Sequence, residues 1–398
     1  MKQYKTIKLK IKCNKTDLNK LQQCNIESAM IWNFCIEKNN ELYKLKKVLY
    51  SKEKLRDFIK CYSTNIICSC NKQVIIDKII DAYKAISHAR KAGRNDLKYP
   101  WKYKKFYPTE WNYQFLFPNY NKNEIKLTTA RFIGEDEKPH NGKQIRLKFK
   151  TTIPQNIQTL KLIWDNGFYA CISYLVDIEE KIIDSNNVAS IDLGEIHAIT
   201  SIDNNNNQLI ITGRKIREIK QFRNKKQAEL RSKIDKCKKG SKQRSKYNKA
   251  LNYMKSKCRK QLDYCVHKLT KVYTDWAVEK GISAVYVGDV TGIEIGSNKG
   301  KNVNQKLNQW EYGNIMKLLN YKLSNAGIKM IKVSEAYSSQ ICPCCGFKHK
   351  PKNRNFICGN CESIFHRDIV GAWNILRSNY NDNILKLPDG NIKYLCIA

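Results

Sequence analysis

Residues 4–13 alternate between apolar and basic side chains. Ile7, Leu9, Ile11 and Cys13 fall on one side and Lys8, Lys10 and Lys12 on the other. This is the period-two pattern of a half-buried strand with a basic outer face. Helical material is expected from Asp17, with breaks, to about Ala92. Within it Ile75, Ile79, Ala82 and Ile86 recur at i, i+4, i+7 and i+11, an amphipathic stripe. From 112 to 177 the pattern returns to short strands. Ile145, Leu147 and Phe149 alternate with charged residues, and Asn166-Gly167 is a hairpin signal between two strand-like runs. These readings predict a small β-barrel that takes in the N-terminal strand, with the helical region inserted between its parts.

A different pattern starts near 186. Val188 to Ile191 reads as a buried strand ending at Asp192. His197 to Asp203 and Gln208 to Thr212 form a hairpin around Asn204 to Asn207. Residues 214–278 are long, Lys/Arg-dense helices in which Leu262, Leu269, Tyr273 and Trp276 mark an apolar stripe. Gly281 closes them, and Ala284 to Val287 is an apolar strand. A helix from about Trp310 to Ala326 stops at Gly327, Met330 to Val333 is a further strand, and a last helix runs from Asp368 to about Arg377. A three-strand meander followed by helix–strand–helix–strand and a final helix resembles the RNase H-like order of elements. The fold expected is therefore α+β and multidomain. Its parts are a first barrel strand at 1–14, a helical domain at 15–110, the rest of the barrel at 111–185, and an RNase H-like nuclease core at 186–398. Residues 379–398 give no functional reading.

Charge narrows the function. Among 398 residues, 73 are Lys or Arg and 36 are Asp or Glu, a formal net charge of +37. With 42% hydrophobic residues the chain builds real cores, which excludes a disordered basic tail. Such a surplus calls for a polyanionic partner, and nucleic acid is the default. No stretch approaches the roughly 18 apolar residues of a membrane span, so no membrane partner and a cytoplasmic location are expected. Sixteen Cys in such a chain argue for thiols and metal ligands rather than disulfides. Residues 90–111 interleave basic and aromatic side chains, which suits phosphate contact plus base stacking. Lys98, Trp101, Lys102, Lys104 and Lys105 are the candidates there. Cys61, Cys68 and Cys70 lack a partner pair at metal-site spacing and read as core.

Two constellations carry chemistry. Cys342-x2-Cys345, then twelve residues, then Cys358-x2-Cys361 has the spacing of a zinc ribbon, inserted at about 338–364. Four thiolates leave no open position, so one structural zinc is expected, with Cys344 outside the set. The second constellation is a pair of acids at element ends, Asp192 after the first core strand and Asp368 opening the final helix. Hydrolysis of a phosphodiester by two magnesium ions needs hard oxygen ligands holding both ions about 3.5–4 Å apart.

Three runs carry a family resemblance: Ser190-Ile-Asp-Leu-Gly194, Tyr337-Ser-Ser-Gln-Ile-Cys-Pro-Cys-Cys-Gly346 and His366-Arg-Asp-Ile-Val-Gly-Ala-Trp-Asn-Ile375. They resemble the TnpB family of transposon-encoded proteins, relatives of type V CRISPR effectors and of eukaryotic Fanzor proteins. The likeness is strong from about 186 to 377. Before that it is weak, resting on Tyr99-Pro-Trp-Lys-Tyr-Lys104 and on the strand–helices–barrel order. It implies an RNA-guided DNA endonuclease with a RuvC-like core, a helical recognition domain and an oligonucleotide-binding (WED-like) barrel. It also implies a guide RNA from the transposon end, double-stranded target DNA beside a short adjacent motif, and a monomer in a prokaryotic cell, nucleoid-associated when bound to DNA. Base pairing would supply the sequence while the protein grips the heteroduplex by its backbone.

The family's second acid is a Glu in a motif like Val-Glu-Asp-Leu on the fourth core strand. Here the segment is Val287-Gly288-Asp289-Val290, with Gly288 in the place of the Glu. Asp289 is adjacent but points to the opposite face. Glu335, just past the neighbouring strand, is expected to enter the space over Gly288. Some TnpB and Fanzor lineages have a similarly relocated Glu, and Ser334-Glu-Ala-Tyr-Ser-Ser-Gln340 matches that variant. Asp192, Glu335 and Asp368 are thus the expected magnesium-binding triad. Gly371 and Trp373 also depart from the family and are expected to alter packing rather than chemistry; Glu195 and His197 are read as structural. The alternative is a nuclease-dead, RNA-guided DNA-binding repressor, motivated by Gly288. A transposase acting through a covalent tyrosine would carry paired His beside a nucleophilic Tyr, and no such motif is present.

Overall fold

The computed structural model describes residues 2–133, 136–177, 183, 185–289, 310–351, 353–380 and 385–397. The chain forms two compact units, Met1–Ile178 and Glu179–Ala398.

The first unit begins with β1 (Lys2–Lys12) and three helices, α1 (Lys15–Lys46), α2 (Lys52–Lys60) and α3 (Ser69–Lys91). Strands β2 (Thr109–Asn112), β3 (Leu116–Asn119), β4 (Glu124–Leu127), β5 (Phe132–Ile133), β6 (Pro139–His140), β7 (Ile145–Phe149), β8 (Ile157–Trp164) and β9 (Phe168–Asp177) follow. Seven of them make one sheet in the order β2-β8-β9-β1-β7-β4-β3. β1 is its hinge. Lys2 to Lys10 pair with β9, and Ile11 and Lys12 pair with β7. The two edge strands, β2 and β3, are separated only by the turn Tyr113–Phe115, so the sheet must curl until its edges nearly meet. Asn166 and Gly167, with φ of 51° and 146°, close the β8–β9 hairpin in the conformation that Asn-Gly favours. Asn14 caps α1 by accepting a hydrogen bond from the Asp17 amide. Trp32, Ile36, Ile75, Ile79 and Tyr83 bury the helices against a core continuous with that of the sheet.

The second unit is built on a six-stranded sheet in the order β14-β13-β10-β11-β12-β17. These are β10 (Val188–Asp192), β11 (His197–Asp203), β12 (Gln208–Thr212), β13 (Ala284–Gly288), β14 (Lys329–Val333) and β17 (Ile392–Cys396). β10–β11–β12 is an antiparallel meander. β13 runs parallel to β10, β14 parallel to β13, and β17 parallel to β12. Helices α4 (Arg214–Asp235), α5 (Lys242–Glu279), α6 (Tyr312–Asn325) and α7 (Arg367–Asn379) complete it, with a small hairpin of β15 (Asn355–Ile357) and β16 (Ile364–His366). Ala189, Ile191, Val285 and Val287 face a core shared with Leu269, Tyr273, Ile315 and Leu319 of α5 and α6. Val188, Ile202 and Ile210 face Ile369, Ala372, Trp373 and Leu376 of α7. Helices thus cover both sides, and each strand sends alternate residues to each. That alternation decides where the acids point. The tail, which carried no expectation, supplies β17 as the sixth strand. No helix among the described residues is long and apolar enough to cross a membrane.

Candidate acidic centre and cysteine cluster

On β10, Val188 and Ser190 face α7; Ser190 donates a hydrogen bond to the Ala372 carbonyl at 2.6 Å. Two residues on, Asp192 has the same parity and also meets α7. A β-carbon on Gly371 would lie 2.6 Å from Oδ2 of Asp192. Only a residue without a side chain admits the carboxylate there. Gly371, expected to alter packing, makes room for Asp192. On β13 the same parity sends Gly288 toward α7. A β-carbon there would lie 2.7 Å from Oε2 and 3.1 Å from Cβ of Glu335, and 3.2 Å from Ile375 Cδ1. Glu335 therefore fills the space over Gly288. Asp368 sits in the first turn of α7, where the helix dipole favours a carboxylate.

The electrostatics tie these groups together. Burial pushes Asp192 up to about 7, and the charges of Glu335 and Asp368 add to the effect. Glu335 is raised by burial and by Asp289. Asp368 moves the other way. Burial raises it, but a hydrogen bond from His197 and the charge of Arg354 hold it below the ordinary carboxylate range. The difference is one of partners: Asp368 has cationic neighbours at contact distance, whereas Asp192 faces other carboxylates. Tyr312, the first residue of α6, is raised by burial and then by the charges of Asp192, Glu335 and Glu195. Asp192, Glu335 and Asp368 offer carboxylate oxygens, the hard-donor chemistry that suits Mg²⁺, but the three are not among the described groups whose ligand atoms lie within 4.8 Å of one another.

His197, read as structural, reaches the centre directly. Its Nδ1 is 2.7 Å from Oδ2 of Asp368, and Arg354 donates to the same oxygen at 2.7 Å. The ring of His366 lies 5.3 Å from that of His197, and Tyr394 of β17 stands 6.2 Å from each. The sequence signal that could have found His197 is its place as first residue of β11, beside the end of β10. Glu195 pairs with Arg217 at 3.4 Å.

Cys342, Cys345, Cys358 and Cys361 converge, all four sulfurs lying within 4.8 Å of one another. Cys342 and Cys361 are 3.7 Å apart and Cys345 and Cys358 are 3.5 Å apart. Four sulfurs at zinc–thiolate bond length from a common ion stand about 3.8 Å apart, so the cluster can bind zinc. Cys344 is exposed and outside it. The second CxxC lies in the loop of the β15–β16 hairpin, which leads straight into α7.

The basic-aromatic segment divides. Lys98, Lys102 and Lys105 are exposed, whereas Trp101 packs among Tyr43, Tyr83 and Tyr99. The Lys104 ammonium lies over the rings of Trp32 and Tyr107, at 3.3 and 4.4 Å. Trp101 and Lys104 thus face inward. Cys68 and Cys70 are buried as expected, with sulfurs 3.0 Å apart, whereas Cys61 is exposed.

A sheet covered by helices on both sides, an acidic centre and a four-cysteine cluster define an α+β protein of the nuclease-related class, and comparison with known proteins agrees. Residues 171–294 match the family described as a probable transposase, and residues 312–375 match the family described as the Cas12f1-like TNB domain. A TnpB-like protein of Methanocaldococcus jannaschii is 24% identical over 267 residues, 61% of this chain and 94% of the relative. The CRISPR-associated endodeoxyribonuclease Cas12f1 of Sulfoacidibacillus thermotolerans is 28% identical over 188 residues, 46% of this chain and 42% of that one. The fold is similar to that in the cryo-EM structure of a Cas12f1-sgRNA-target DNA complex. There the TM-score is 0.65 at 14% identity, over 91% of this chain and 83% of the other. The chain is thus similar to TnpB-like and Cas12f1 proteins over the residues that these matches cover.

Proposed function

We propose that the chain is an RNA-guided DNA endonuclease that cuts by metal-dependent phosphodiester hydrolysis on an RNase H-like (RuvC) core. The observation that carries this reading is Glu335, whose carboxylate fills the space over Gly288 on the same sheet face as Asp192. An acid lost from one strand has its volume and charge returned from the next, which a decayed site would not conserve. Asp192, Glu335 and Asp368 would hold two Mg²⁺ ions, which when bound supply an activated water and neutralise charge on the phosphate. The protein's own part is positional. Gly371 and Gly288 clear the volume that the carboxylates occupy, and α7 fixes Asp368 by its N-terminus. The burial that raises Asp192 and Glu335 keeps their mutual repulsion uncompensated until cations arrive. The curled sheet and inserted helices of the first unit are the proposed WED-like barrel and recognition domain. Guide RNA and target duplex are the proposed partners, gripped by the α4–α5 hairpin and by Lys98, Lys102 and Lys105. The cysteine cluster is proposed to hold one structural Zn²⁺.

The test is to purify the protein with the RNA it retains from its native locus, sequence that RNA, and supply Mg²⁺ and a matching plasmid. Cleavage lost in Glu335→Ala and kept in Asp289→Ala supports the triad; the reverse pattern refutes it. An intact plasmid held tightly by the wild-type complex would instead give a nuclease-dead repressor.

A further inference from the structure

At the margin of the acidic centre an imidazole and a guanidinium share one carboxylate oxygen. Nδ1 of His197 is 2.7 Å from Oδ2 of Asp368. Nη1 of Arg354 is 2.7 Å from that oxygen and 3.2 Å from that nitrogen. With its proton on Nδ1, His197 donates to Asp368, and the same oxygen also accepts from Arg354. Beside them Nδ1 of His366 is buried with no hydrogen-bond partner among the described residues. Such a nitrogen in a polar cluster calls for an explanation.

A divalent cation gives that nitrogen a partner. It bonds the lone pair of His197, the carboxylate of Asp368 and the orphan nitrogen of His366, and it takes over the cationic position that Arg354 fills. Ligand atoms of these three residues already lie within 4.8 Å of one another. Arg354 is 45% exposed on its side chain and can swing into solvent. Two imidazoles and one carboxylate suit a borderline ion rather than magnesium, and three protein ligands leave a fourth position for water. We propose that His197, His366 and Asp368 form a second metal site, for a zinc-class divalent ion, separate from the four-cysteine cluster. The site does not depend on whether the chain cuts DNA. It would, however, draw on Asp368, so the hard-ion centre and this one would compete for a single carboxylate.

Equilibrium dialysis of the full chain against buffered Zn²⁺, with bound metal counted by mass spectrometry, tests this. The wild type should bind one zinc per chain more than the double variant His197→Gln/His366→Gln. Equal counts overturn the proposal. Co²⁺ provides a second readout. The double variant should lose weak d–d absorption while keeping the intense sulfur-to-cobalt bands of the cysteine cluster, and an unchanged spectrum also overturns it. Should the double variant fold poorly, Arg354→Ala decides alone. Removing the competing guanidinium should tighten the additional zinc by several-fold, whereas a His197 that only braces Asp368 predicts no change.

Discussion

At the scale of single residues, the acidic centre is a problem of volume and charge. Asp192 has an ordinary value of 3.8 and stands at about 7 in the folded chain. The folded state therefore binds a proton that the unfolded state releases across that interval, so stability falls as pH rises from about 4 to about 7 and is level above. Asp192→Asn should then melt a few degrees above the wild type at about pH 8 without divalent ions, and the gap should close by about pH 4. Calorimetry across that range checks it; a variant less stable at every pH would refute the repulsion argument. Magnesium should raise the melting point of the wild type more than that of the variant, because only the former has the charge to neutralise. Gly288 gives a second prediction. Gly288→Ala puts a methyl group against both Oε2 and Cβ of Glu335 and should lower cleavage at least about tenfold, the order of a catalytic group displaced by about an ångström. Gly288→Glu combined with Glu335→Ala returns the acid to the neighbouring strand and should recover activity that Glu335→Ala alone lacks. No recovery would mean that the two positions do not serve one place in the centre.

At the scale of elements, strand parity explains why some readings from sequence were sound. Val188 to Asp192 reads as a strand because its apolar run is buried on both sides, and parity from Ser190 aims Asp192 at α7. The cysteine spacing was equally legible, since two CxxC pairs must bend toward a common centre. By contrast, β17 is short, polar on its exposed side and defined only by the partner it joins; Lys393 and Tyr394 are exposed while Ile392 and Leu395 are half-buried. It covers the edge of β12, a strand buried over almost its whole length. Ending the chain after Tyr380 should expose that edge and remove the acceptor for the Trp373 indole N–H, the Lys386 carbonyl. The truncated protein should melt lower and aggregate more readily, measured by light scattering during a thermal ramp. The 90–107 segment shows the limit of composition. Basic and aromatic residues there look alike in sequence, yet packing turns Trp101 and Lys104 inward and leaves Lys98, Lys102 and Lys105 outside.

At the scale of the whole molecule, a formal charge of +37 sets the response to salt. Affinity for nucleic acid should fall steeply and log-linearly with salt. Reversing the charge of Lys98, Lys102 and Lys105 together should flatten that slope by about two to three, with little change in melting. Trp101→Ala should do the opposite, costing about 2–3 kcal/mol of stability while leaving the slope nearly intact. A variant set in which both changes moved only stability would remove this segment from the nucleic-acid surface. The sequence by itself determined the basic surplus, the strand and helix order, the four-cysteine cluster and the positions of the acids at 192 and 368. Each of these is written in local period, spacing or composition. The cover of Gly288 by Glu335 was expected from the family resemblance; only the tertiary structure decided that Gly371 is the floor beneath Asp192 and that His197 and Arg354 meet at Asp368. The longest of those contacts join residues well over a hundred positions apart. They depend on the distance across a sheet and onto a helix, which no local pattern records.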